Sequence, residues 1–168
     1  MRRRSLLQIS ATTAVALALV GGTAAWIRPG LEGGALSSLG RKVFRSVATA
    51  VLQKTLPAQD GAREIALEGL LSRIDVLVGA LPQHAQSELS QLLSVLGNPA
   101  GRLGLTGLGT DWADASPDEV QVALQRMRVS GLTVRQQAYA ALHDITAGAY
   151  FSAPSSWSML GYPGPLII

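Results

Sequence analysis

Apolar residues recur at helical spacing through most of this chain, and proline or glycine interrupts them at short intervals. Residues three or four apart lie on one face of a helix, so each run predicts an amphipathic helix. The runs end at Pro57, Pro82, residues 97–99 and Gly131. Alternating strand patterns of useful length are absent from the sequence. The chain is therefore predicted to be all-α, an irregular bundle of about five helices whose short links favour antiparallel neighbours.

The predicted helical domain covers residues 36–151 and follows a predicted linker at residues 26–35, which is rich in glycine. Each predicted helix has one apolar stripe. The stripes are Leu36, Leu39, Val43, Val47, Ala50 and Val51; Ile65, Leu70, Leu71, Ile74, Leu77 and Val78; Ala85, Leu89, Leu92, Leu93 and Leu96; Val120, Leu124 and Met127; and Val134, Ala138, Ala141, Leu142, Ile145 and Ala149.

Two segments between the stripes have a distinct local pattern. Ser116-Pro117-Asp118-Glu119 predicts a helix start, because the serine can cap the helix and the glutamate can return the hydrogen bond. The glycine-rich residues 101–110 are predicted to be a flexible loop. They lack the spacing and the preceding strand of a phosphate-binding loop.

The first 25 residues are predicted to be a signal peptide. Arg3 and Arg4, followed one residue later by Leu6 and Leu7, resemble the twin-arginine export signal, and a mildly apolar stretch with small residues follows. The alternative is an uncleaved membrane anchor at residues 9–27, which is near the length of about 20 residues that spans a bilayer. The twin-arginine route carries folded proteins, so the translocation machinery is an expected partner.

Charge argues against a nucleic-acid-binding function. Arg2, Arg3 and Arg4 are three of the 14 basic residues, which leaves 11 basic against 11 acidic residues in the remainder. A nucleic-acid interface needs a basic face on the folded body. The absence of cysteine excludes disulfides, iron–sulfur ligation and a thiol nucleophile.

Side chains that could carry chemistry are few. His143 and the adjacent Asp144 are candidates for part of an acid–base site. However, adjacent helical residues point about 100° apart and are not expected to face each other. The acidic cluster of Asp111, Asp114, Asp118 and Glu119 lacks the spacing of a calcium loop, and its last two members fit the first turn of a helix. No catalytic, cofactor-binding or metal-binding residue is predicted.

The C-terminal segment 152–168 is predicted to be an extended tail, because Pro154, Pro163 and Pro165 interrupt any helix. Its aromatic and aliphatic residues need to be buried against something. We expect it to dock on a partner protein, and the alternative is that it folds back and caps its own bundle. The expected docking residues are Tyr150, Phe151, Trp157, Leu160, Tyr162 and Pro163.

The order Tyr150-Phe151-Ser152, Pro154, Trp157 and then residues 160–164 resembles the C-terminal pattern of the gluconate 2-dehydrogenase subunit 3 family. The leader, Leu56-Pro57 and the segment from Trp112 into Val120 are similar as well. The resemblance implies a non-catalytic small subunit that escorts, stabilises and helps export a large FAD-dependent dehydrogenase of the glucose–methanol–choline type. It implies FAD in that partner and none in this chain, and in some complexes a cytochrome c subunit.

The resemblance implies a periplasmic protein, held at the inner membrane through the complex or by an uncleaved N-terminal segment. One alternative is a standalone periplasmic helical protein that binds a small apolar ligand. Another is a free enzyme of unknown type. The substrate of the complex is not encoded in this chain, because the large subunit determines it.

Overall fold

The structure, a computed structural model, describes residues 28–157 and Gly161. Within them the chain forms a β-hairpin, six α-helices and one 3₁₀ turn. The elements are β1 (Leu31–Glu32), β2 (Ala35–Leu36), α1 (Ser38–Val51), α2 (Asp60–Gly79), α3 (Gln83–Gly97), α4 (Pro99–Thr106), α5 (Pro117–Arg128), α6 (Thr133–Phe151) and the 3₁₀ turn (Pro154–Ser156). The predicted all-α class is confirmed, with six helices in place of about five. The predicted leader and most of the predicted tail lie outside the described residues.

Helix α1 is the centre of the bundle. It packs against α2, α3, α5 and α6, and its side chains Val43, Phe44 and Val47 are completely buried. The Ser37 hydroxyl begins the helix by accepting a hydrogen bond from the Gly40 N–H, as an N-cap serine does. The helix that contains the first predicted stripe is therefore buried on several sides. Its mixture of small and large apolar residues allows this packing.

Helix α2 differs from its predicted stripe in one residue. Ile65 is 77% exposed, whereas Leu67 is 5% exposed and belongs to the core. Leu70, Leu71 and Ile74 are buried as predicted. The rotation of α2 thus places Leu67 inward and Ile65 in solvent. In the part of the chain that the structure describes, no helix is both long and apolar enough to cross a membrane.

The predicted linker at residues 26–35 is wrong where the structure describes it, because residues 31–36 form a hairpin. Leu31–Glu32 pairs with Ala35–Leu36 in antiparallel register. The turn residues 33–34 are glycines with φ of 58° and 81°, the left-handed conformation that a two-residue hairpin turn requires. Side-chain oxygens of Asp75 on α2 and Ser90 on α3 accept N–H groups of the strands at 2.8 and 3.2 Å. These bonds hold the hairpin against two helices.

The predicted flexible loop at residues 101–110 is also wrong for its first part, which belongs to α4. Asn98 Oδ1 accepts the N–H groups of Ala100 and Gly101 at 2.9 and 3.4 Å, and Pro99 occupies the first helical position. Proline is favoured there, because its missing N–H would have no helical partner. Gly107, with φ of 75°, ends the helix. Pro99 therefore begins a helix in addition to marking the end of α3.

The predicted start of α5 is confirmed. The Ser116 hydroxyl accepts from the Glu119 N–H at 3.3 Å, and Glu119 Oε2 accepts from the Ser116 N–H at 2.8 Å. This reciprocal pair is a capping box. The hydrogen bond from the Ser116 backbone, followed by that from its hydroxyl, lowers the pKa of Glu119. The acidic pair Asp118 and Glu119 thus serves the first turn of the helix.

Two glycines of α4 predict opposite responses to the same substitution. A Cβ at Gly101 would collide with the backbone carbonyl of Val95, whereas a Cβ at Gly104 would meet open space. We expect Gly104→Ala to raise the free energy of unfolding by about 0.5–1 kcal/mol, because alanine loses less backbone entropy in a helix. Gly101→Ala should lower it by about 1–3 kcal/mol through overpacking. Urea denaturation followed by circular dichroism measures both, and equal signs would contradict this packing of α4 on α3.

Candidate functional site

An apolar groove lies between α3 and α6. Leu89 and Ala138 form its buried floor, and Glu88 and Gln137 supply its polar groups. The remaining lining side chains are half-buried and apolar: Leu81, Ala85, Leu92, Val134, Ala141 and Ile145. The cavity volume is about 210 Å³, below the roughly 300–1,000 Å³ of pockets that hold drug-sized ligands. The groove thus has the size and chemistry to take a few apolar side chains.

The groove-lining face of α6 continues to the end of the helix. Ile145 and Ser152 are seven residues apart and therefore lie on the same face. Gly148 lies between them, is exposed, and has open space where a Cβ would be. A shallow surface without a bulky side chain thus connects the groove to the point where the C-terminal segment leaves α6.

The first part of the predicted tail packs against α6. The Trp157 indole N–H donates to the Phe151 carbonyl at 2.9 Å, and the Ser156 hydroxyl donates to the Ala153 carbonyl at 2.7 Å. Trp157 is half-buried. Two of the predicted docking residues, Phe151 and Trp157, are thereby brought together at the C-terminal end of α6. The others, Leu160, Tyr162 and Pro163, lie outside the described residues.

Tyr150 corrects the prediction of a docking anchor. Its side chain belongs to the core of this chain, with 8% of the residue exposed. The phenol hydroxyl donates to the Thr55 carbonyl at 3.0 Å, and the ring packs edge-on against Phe151 at a centroid distance of 5.2 Å. A tyrosine held by its own bundle has little surface to offer a partner. The tail that could dock therefore begins after Tyr150.

His143 and Asp144 do meet, contrary to the expectation from helical geometry. His143 Nδ1 lies 3.0 Å from Asp144 Oδ1, and the imidazole stacks on Tyr139 at a centroid distance of 5.3 Å. The two side chains are 39% and 77% exposed. His143 is also about 200° around the helix axis from Ala141, so the imidazole lies on the opposite side of α6 from the groove. This contact is a solvent-exposed surface pair.

A charged cluster surrounds Asp111 at the loop before α5. Asp111 lies 3.3 Å from Arg102 Nη1 and 3.3 Å from Lys42 Nζ, and it accepts the Ala113 N–H at 3.1 Å. The Arg102 side chain is only 5% exposed. The Ala113 hydrogen bond, together with the charges of Lys42 and Arg102, holds the pKa of Asp111 below its ordinary value of 3.8 despite partial burial. Asp111 is thus the counter-charge of a buried arginine.

Neutralising Asp111 should therefore destabilise the fold in a pH-dependent way. We expect Asp111→Asn to cost about 1–2 kcal/mol at neutral pH, since the carboxylate is partly solvated and screened while Arg102 is not. A depressed folded-state pKa stabilises the protein above the unfolded pKa of about 3.9. The difference between wild type and variant should therefore vanish as the pH falls through the folded pKa. Urea denaturation between neutral and acidic pH measures this difference in the free energy of unfolding, and Asp114→Asn, at an exposed position, is the control. A difference that does not change with pH would contradict the role of Asp111 as the counter-charge of Arg102.

A second hollow, of about 260 Å³, lies beside this cluster and is lined by Lys42, Arg45 and Trp112 among others. Its cations are already paired: Lys42 with Asp111, and Arg45 with Glu64 at 2.7 Å. Over residues 28–157 and Gly161, no group of three or more His, Asp or Glu side chains is placed to hold a metal ion. The apolar groove is the better candidate for a binding site.

The groove was not predicted from the sequence as a site. Its lining residues were assigned to the apolar stripes of two helices, and no residue among them has a distinctive chemistry. The signal that could have found it is the concentration of alanines at Ala85, Ala138 and Ala141, since small side chains leave space between helices. The export-signal residues Arg3, Arg4, Leu6 and Leu7 precede the described part of the chain. Comparison with protein-family models, with curated proteins and with solved structures gave no match.

Proposed function

We propose that this chain is a non-catalytic small subunit that escorts, stabilises and helps export a large FAD-dependent dehydrogenase of the glucose–methanol–choline type. The observation that carries the proposal is the apolar groove between α3 and α6, which is lined mainly by half-buried aliphatic side chains. Contiguous apolar surface of this kind is typical of protein–protein contacts. Its partner brings the FAD and the substrate site.

Two sequence patterns support the same proposal. The twin-arginine-like residues at the N-terminus suit export in the folded state, and the C-terminal pattern from Tyr150 to Gly164 resembles that of flavin dehydrogenase small subunits. On this proposal the complex is periplasmic, attached to the inner membrane through a cytochrome c subunit or the N-terminal segment of this chain. The translocation machinery is then a second, transient partner.

The tail after Trp157 is the proposed docking element on the large subunit. It contains Leu160 and Tyr162 between glycines and prolines. Large amphipathic side chains such as Tyr162 dominate interface energetics, and truncating one typically costs about 2 kcal/mol or more. Prolines restrict the free segment, so less conformational entropy is lost when it binds. Trp157, bonded to the Phe151 carbonyl, fixes the point from which the tail leaves the bundle.

Ending the chain after Trp157 tests the docking proposal, because it removes the tail and keeps the packed turn. We expect this truncation to abolish co-purification with the FAD-bearing subunit while the isolated chain keeps its helical circular-dichroism signal and a cooperative melt. Ile65→Ser is the matched control, since it removes an exposed apolar side chain from α2 and should leave the complex intact. A truncated chain that captures the large subunit as well as the full chain does would contradict tail docking.

The apolar groove also favours a second candidate function, a standalone periplasmic protein that binds a small apolar ligand. Its volume of about 210 Å³ is small for such a ligand. Titration of the purified chain with a fluorescent apolar probe separates the two functions. Saturable one-to-one binding that Ala141→Trp removes would favour the ligand-binding function. No saturable binding, either by the full chain or by the chain that ends after Trp157, would exclude it.

A further inference from the structure

We propose that, in the free chain, the C-terminal segment 158–168 lies in the groove between α3 and α6. The segment has six apolar side chains, Met159, Leu160, Tyr162, Leu166, Ile167 and Ile168. Exposed together they would form a sizeable apolar patch on a small protein, which is an aggregation hazard. The groove is an apolar concavity on the surface of the same chain. This position of the tail is a property of the free chain and does not depend on the flavoprotein partner.

The chain leaves α6 on the face of the helix that lines the groove. Ser152, the first residue beyond the helix, is in register with Ile145 and Val134 of the groove by its spacing of seven and eighteen residues. Gly148 leaves the path between them open. The Trp157–Phe151 hydrogen bond holds the start of the segment at the end of α6.

The tail is also long enough. Phe151 and Val134 are 17 positions apart on the helix, a distance of about 26 Å at 1.5 Å per residue. The eleven residues 158–168 reach up to about 36 Å when extended. The segment can therefore run the length of the groove with slack, which the glycines and prolines at residues 161–165 would take up.

Volume and chemistry favour side chains of this tail over other occupants. A cavity of about 210 Å³ holds two or three aliphatic side chains, and the tail offers more than that number at short spacing. The rim groups Glu88 and Gln137 can accept a hydrogen bond from the hydroxyl of Tyr162, whose ring suits an apolar wall with a polar edge. Tethering gives the tail an effective concentration in the millimolar range, which a second copy of the chain reaches only at very high concentration.

Engineered disulfides test directly whether the tail lies in the groove, because the natural chain has no cysteine. Ala141→Cys in the groove is combined with Leu160→Cys in one variant and with Ile167→Cys in another. The matched control places the first cysteine at Val122 on α5, which is 51% exposed and outside the groove. A disulfide needs Cβ atoms about 3.5–4.5 Å apart, so its rate of formation reports proximity. Gln137→Cys replaces Ala141→Cys if the latter loses its helical signal.

We expect at least one groove–tail pair to close within the monomer under mild oxidation, roughly tenfold or more faster than the Val122 pair with the same tail position. Equal rates for groove and control positions would overturn the proposal. So would disulfides that join two chains, which would make a second copy the occupant. A third result would also overturn the proposal: the groove cysteine forms no disulfide with either tail cysteine and reacts freely with a small apolar maleimide. The groove would then be open to external ligands.

Discussion

With Arg3 and Arg4 both replaced by lysine, this protein and the proposed large subunit are expected to remain in the cytoplasm. The guanidinium group presents a planar fork of donors that the compact ammonium of lysine cannot reproduce, so a receptor for paired arginines distinguishes the two. The effect should be close to all-or-none, from largely exported to largely retained. Immunoblotting of cytoplasmic and periplasmic fractions measures it for both polypeptides.

Arg2→Lys is the matched control for export. It changes a neighbouring arginine outside the pair Arg3-Arg4 that aligns with Leu6 and Leu7, and it keeps the charge of the leader. We expect normal export of this variant. If the double-lysine protein reaches the periplasm at the wild-type level, the prediction of a twin-arginine signal is wrong. If this chain is retained while the large subunit is still exported, the escort role is excluded.

Replacing Trp112 by alanine is expected to lower the free energy of unfolding by about 3–5 kcal/mol, the typical cost of removing a buried aromatic side chain. Trp112 is 2% exposed and is the largest fully buried side chain of the described core. Its indole N–H donates to the Leu96 carbonyl at 2.8 Å. That carbonyl belongs to the last turn of α3, where helical partners are missing. One side chain therefore fills the core and satisfies a helix end.

Trp112→Phe separates these two contributions. It keeps most of the apolar volume and removes the donor, so we expect a cost of about 1–3 kcal/mol from the unsatisfied carbonyl. Val122→Ala, at a position 51% exposed, is the control and should stay within about 0.5 kcal/mol of wild type. Urea denaturation monitored at a helical wavelength gives all three values. An alanine variant as stable as the phenylalanine variant would show that the ring is not packed as the structure describes.

The helices could be predicted because their apolar stripes agree with the packing. Val43 and Val47 of α1 and Leu89 and Leu93 of α3 are buried as their spacing indicated. The capping box at Ser116 was predictable because it is local chemistry between residues three apart. Ile65 was assigned wrongly, since it lies five residues before Leu70, whereas residues on one helix face are three or four apart, as Leu67 and Leu70 are.

Elements that depend on context were missed. Pro99 ends one helix and begins the next, and only the position of Asn98 as an N-cap distinguishes the two roles. The glycines at residues 33–34 are equally compatible with a flexible linker and a tight hairpin turn. The two-residue strands around them carry no detectable alternation. Contacts with Asp75 and Ser90, remote in sequence, decide in favour of the hairpin.

The candidate site was predicted only in part. The sequence predicts docking residues at the C-terminal end of α6 and in the tail, and it counts the buried Tyr150 among them. Its burial depends on the Thr55 carbonyl, 95 residues away. The groove depends on how closely α3 approaches α6, which the spacing of apolar residues on either helix does not determine.

Purifying the tagged full chain from the periplasm of its own cells, and measuring the flavin content of what it retains, is the most direct measurement of the proposed role. We expect one large polypeptide in fixed stoichiometry, carrying FAD and dehydrogenase activity, while the same chain produced alone carries neither flavin nor activity. A chain that is purified from the periplasm as a monomer without a flavoprotein would contradict the proposal. So would a chain that binds flavin by itself.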